Sequence, residues 1–86
     1  PIEAAFFERR LDGFLHELDA LPVRHVPNAG DYVYLGDDET TLGPYEVIRV
    51  VHSLCRSGDE VHQRCDVLMS NIATETLLSM NSVGEA

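Results

Sequence analysis

A chain of 86 residues has room for one domain, which buries only roughly 60–65% of its unfolded surface, so a partner subunit would add usefully to its core. Fifteen Asp and Glu against six Arg and no Lys leave a net charge of −9, which repels phosphate backbones and excludes direct nucleic-acid binding as an expectation. Apolar residues make up 44% of the chain, against disorder, and no apolar run approaches the ~20 residues of a membrane span.

Glu3, Glu8, Arg9 and Arg10 interrupt the apolar residues at the start of the chain, unlike a secretion signal, and the expected location is the cytoplasm. The acidic excess reads first as a solvated surface that keeps a small protein soluble. It also suits a face that meets a basic protein partner.

Residues 3–20 read as an amphipathic helix. Phe7, Leu11, Phe14, Leu15, Leu18 and Leu21 fall on one helical stripe, with Glu8, Arg9, Asp12, Glu17 and Asp19 off it. Pro22 ends the run, and Gly13 is a weak point inside it, costing on the order of 1 kcal/mol relative to Ala. Pro22 and Pro27 then bracket Val23-Arg24-His25-Val26, an extended or edge segment. Asn28-Ala29-Gly30 is a turn, residues 31–35 form a short strand, and 36–43 form an acidic loop through Asp37, Asp38 and Glu39. That loop lacks the ligand spacing of a calcium site.

The centre of the chain is an antiparallel hairpin, with strands near 45–54 and 60–69 joined across Gly58-Asp59. An even-length turn sets even positions of its first strand opposite odd positions of its second. Ile48, Val50, His52 and Leu54 then share the core face with Val61, Gln63, Cys65, Val67 and Met69. The other face holds Tyr45, Val47, Arg49 and Val51 with His62, Arg64, Asp66 and Leu68, and a four-residue loop would set Arg49 against Asp66. Residues 71–80 fit a short helix capped by Ser70 or Asn71, or a strand, and 82–86 read as a frayed tail.

The hairpin also collects the two cysteines and two of the four histidines. His52-x-x-Cys55 and His62-x-x-Cys65 have a spacing that suggests zinc, but residues three apart on a strand point to opposite faces. The pairs able to meet are His52 with Cys65 and Cys55 with His62. Each is a two-ligand half-site, and neither a disulfide nor a complete nucleophilic site follows. No cofactor is expected. Tyr32, Tyr34, Tyr45, Val47, Val51 and Leu68 form the candidate binding surface, since the second face of the hairpin is apolar enough to need cover.

Gly30-Asp31 with Val33 and Leu35, followed by Tyr45-x-Val47-x-x-Val50-x-His52, resembles a pattern in short uncharacterised bacterial proteins carried by phages and integron gene cassettes. The strand rhythm over residues 30–69 is similar to that of small SH3-like barrels, which implies a small barrel and no particular activity. The expectation is therefore an α+β domain, an N-terminal helix on a twisted antiparallel sheet of about four strands, with closure into a small SH3-like barrel as one means of covering the second face. The expected function is a non-catalytic interaction module forming a homodimer. The alternatives are a metal- or thiol-dependent site at the His/Cys pairs and an acidic mimic that binds a basic protein.

Overall fold

Asp12-Gly13 decides how the first third of the chain folds. A computed structural model describes residues 2–73, and the helix expected over 3–20 is replaced there by two strands, β1 (Ile2–Arg9) and β2 (Leu15–Val23). The Gly13 N–H donates to the Arg10 carbonyl (2.9 Å) and the Arg10 N–H to the Phe14 carbonyl (3.2 Å). Gly13 sits at φ +84°, the left-handed position that closes a three-residue hairpin loop at little cost for glycine. The Asp12 carboxylate accepts from the Phe14 N–H at 2.9 Å, so the residue that looked like a flaw in a helix is the turn of a hairpin.

The apolar stripe divides accordingly. Of its residues Leu18 packs against the core, which Phe6 enters from outside the stripe, while Leu11, Phe14 and Leu15 near the turn and Leu21 farther along β2 stand exposed. Opposite Phe6 and Phe7 the ladder bulges on the β2 side, with Leu18 the extra residue, which breaks the simple alternation of β2.

The remaining strands are β3 (Tyr32–Gly36), β4 (Thr41–Ser57) and β5 (Glu60–Asn71). They join the first two in one five-stranded sheet of order β2-β1-β5-β4-β3, curled into a nearly closed, barrel-like form. The described residues are thus nearly all strand and turn, which corrects the α+β expectation with its N-terminal helix. The neighbours are antiparallel apart from β1 and β5, which run parallel from Glu3↔Arg64 to Arg9↔Ser70. β5 extends through Asn71, whose side chain accepts from the Ala73 N–H at 2.9 Å. Most of the helix or strand read over 71–80, and all of the 82–86 tail, lie outside the described residues.

A second bulge, between Val47 and Arg49, sets the core. Val47 pairs with Met69 and Arg49 with Leu68, leaving Ile48 as the extra residue. The loop before β3 holds the bulge, since the Gly30 N–H donates to the Val47 carbonyl (2.8 Å) and the Val47 N–H to the Asp31 carbonyl (2.9 Å). An added residue reverses which side chains face inward. Tyr45 and Val47 therefore enter the core with Ala4, Phe6, Leu35, Val67 and Met69, and Ile48 is left 39% exposed.

Burial, reinforced by Glu8 and partly offset by Arg10, pushes the Tyr45 phenol above its ordinary value of 10.0. A group raised on folding stabilises the fold fully below its unfolded value and loses that contribution as pH rises through the folded one. Denaturation from pH 8 to 11 is expected to show a loss of stability above pH ~10 that Tyr45→Phe reduces. An unchanged alkaline profile in the variant would place the cause elsewhere.

Candidate functional site

β4 has 17 residues, about twice the length of β1 or β2, and the excess leaves the body of the sheet. From Val51 through Arg64 every residue is exposed. This stretch is a two-stranded arm closed by the two-residue turn Gly58-Asp59, about 20 Å long at ~3.4 Å per residue. The radius of gyration is 15.2 Å, against about 12 Å for a compact chain of this length.

The register fixes the arm's two faces. His52↔Cys65, Leu54↔Gln63 and Arg56↔Val61 continue the core side, and Val51↔Asp66, Ser53↔Arg64 and Cys55↔His62 lie on the other. A two-residue turn is closed by a hydrogen-bonded pair, and the alternation from there gives His52 and Cys65 a close, non-hydrogen-bonded position. Their contact agrees, with Cys65 Sγ 3.1 Å from His52 Nδ1. Cys65 is fully buried at the arm's base, Cys55 is exposed near its tip, and both are free thiols. Among the described residues no three His, Cys, Asp or Glu side chains converge as a metal site, and each face offers one His/Cys pair where a closed zinc site takes four ligands.

The short turn also moves Asp66 from Arg49 to Val51 in the ladder. Its carboxylate lies 3.4 Å from Arg64 Nε, and Glu60 lies 3.5 Å from His62 Nε2. Between residues 49 and 66, Arg49, Arg56 and Arg64 balance Asp59, Glu60 and Asp66, so the whole charge of −9 resides on the rest of the chain. The arm is therefore a neutral element on an acidic protein.

The candidate binding surface divides in three. Tyr32 and Tyr34, at 64% and 63% exposure, stand on the end strand β3; Val51 is exposed and Leu68 half-buried at the arm's base. Tyr45 and Val47 are core residues, placed there by the bulge at Ile48. Sequence reasoning missed Leu54 and Val61, which it assigned to the core but which are 72% and 60% exposed. Their face is the one expected; it outruns the body, and the mismatch in strand length was the available signal.

A cleft of about 380 Å³ lies behind the bulge, lined by Arg9, Gly30, Glu46, Ile48 and Ser70 among others. The Ser70 hydroxyl is buried there without a hydrogen-bond partner among the described residues. Among the described residues no helix is long and apolar enough to cross a membrane. Comparison with protein-family models, curated proteins and solved structures finds no match, so residue roles rest on the geometry alone.

Proposed function

We propose that this chain is a non-catalytic interaction module of the cytoplasm whose arm is its contact element and which self-associates through that arm as a homodimer. The observation that carries the reading is the unbroken exposure from Val51 to Arg64 on a ribbon bearing Leu54 and Val61. An isolated two-stranded ribbon is marginal in water, and fully covering each of these side chains contributes at most about 1.5–3 kcal/mol. The balanced charge of the arm lets two arms approach without the repulsion that two acidic bodies would meet.

Sedimentation at micromolar concentration tests this, comparing the parent with Leu54→Glu/Val61→Glu. The parent is expected to sediment as a dimer and the variant as a monomer with an unchanged circular dichroism spectrum. A monomeric parent, or a variant that still dimerises, would remove the arm from this role.

A further inference from the structure

Residues 25–48 contain Asp31, Asp37, Asp38, Glu39 and Glu46 and neither Lys nor Arg. The fold gathers these carboxylates around β3 and the turn that follows it. Glu46 pairs with Tyr32 across the ladder, and Asp37 opens the β3–β4 turn. Asp37 is held in place there, its Oδ1 accepting from the Glu39 and Thr40 N–H groups at 2.9 Å each. These two bonds to the ionised form keep the Asp37 carboxyl below the usual carboxylate range.

β3 is an end strand, and among the described residues only β4 pairs with it. β2, the strand at the other end of the sheet, faces it across a cleft of about 190 Å³ lined by Leu18, Asp19, Leu35, Gly36, Asp37 and Leu42. Tyr32 and Tyr34 present open aromatic rings beside that edge. A bare strand edge offers main-chain donors and acceptors to an added strand. Exposed tyrosines attract cations to their faces, guanidinium above ammonium because its plane stacks on the ring.

We propose that the outer edge of β3 docks an extended, arginine-bearing segment of a partner protein by strand addition. The added segment runs along β3 toward the cleft facing β2, with its main chain on the edge. Alternate side chains place guanidinium groups over Tyr32 and Tyr34 and toward the surrounding carboxylates. This surface is separate from the arm, so the inference stands or falls independently of self-association.

The test uses a fluorescent ten-residue peptide alternating Arg and Thr, followed by anisotropy and by amide chemical shifts. Controls are the same peptide N-methylated at alternate positions and one with Gln in place of Arg. Binding is expected to shift amides of residues 32–36 and to weaken about tenfold or more between 20 and 300 mM salt. Tyr32→Ala and Tyr34→Ala should each weaken it about 2- to 5-fold, with Asp38→Asn/Glu39→Gln weakening it further. These side chains are exposed, and an unchanged circular dichroism spectrum verifies each variant's fold. Absence of binding, equal binding of the N-methylated or Gln peptide, or shifts confined to the arm would each overturn the proposal.

Discussion

Val47→Asp is expected to abolish cooperative folding, whereas Ile48→Asp, one residue on, leaves the domain within about 1 kcal/mol of the parent. Val47 is 1% exposed, pairs with Met69 and packs among Phe6, Tyr45 and Val67. A carboxylate there has no cationic partner in that apolar cluster, and an unpaired buried charge costs several kcal/mol. A domain of this length has roughly 4–13 kcal/mol in total at ~0.05–0.15 per residue, so the loss consumes most of it. Ile48 is the extra residue of the bulge, with its side chain partly in water. Urea unfolding and amide-shift dispersion would separate the two variants. A folded Val47→Asp beside an unfolded Ile48→Asp would mean that the ladder has no bulge.

That pair of residues also shows where the sequence could be read and where it could not. The arm end of the hairpin was legible because a Gly-Asp turn and strict alternation fix parity locally. His52 meets Cys65 as the two-residue register requires. Parity failed only beyond Arg49, where the bulge is held by Gly30 and Asp31, residues of a separate loop whose approach no local pattern records. The short strand at 31–35 was also legible, shifted by one residue to Tyr32–Gly36.

The N-terminal third was misread for a different reason. Phe7, Leu11, Phe14, Leu15, Leu18 and Leu21 satisfy a helical period, but helix stability in a protein comes mainly from packing an apolar face, and in this fold Leu11, Phe14 and Leu15 remain exposed. β1 instead gains neighbours on both sides, including a parallel ladder to residues some sixty positions away. That pairing buries Ala4 and Ala5 together, on opposite faces of one strand. The readable clue was Asp12-Gly13, a recognised hairpin dipeptide set inside an apparently helical stripe. Of the site, the His/Cys pairing and exposed Tyr32 and Tyr34 were within reach; the projection of Leu54 and Val61 depended on knowing how far the body of the sheet extends.

Gly36→Ala is expected to destabilise the domain by about 2–4 kcal/mol, although the substitution adds a single methyl group. A Cβ at this position would press on the Thr40 carbonyl oxygen and come within 2.8 Å of the Thr41 Cα. Both are backbone atoms of the facing chain, and Thr41 is the residue that pairs with Gly36. No rotamer change relieves such a contact, so the turn must open. Opening it strains the Asp37 N–H bond to the Thr40 carbonyl and both bonds to the Asp37 carboxylate. Because Leu35 is a core residue next in the chain, the disturbance reaches the barrel. Asp38→Ala, in the same turn, should change stability by less than ~0.5 kcal/mol, as surface substitutions usually do. The comparison is made by the urea midpoint at constant slope. A Gly36→Ala midpoint equal to the parent's would show that β3 and β4 stand farther apart at this turn, and it would also remove the rigid placement of carboxylates on which docking at β3 depends.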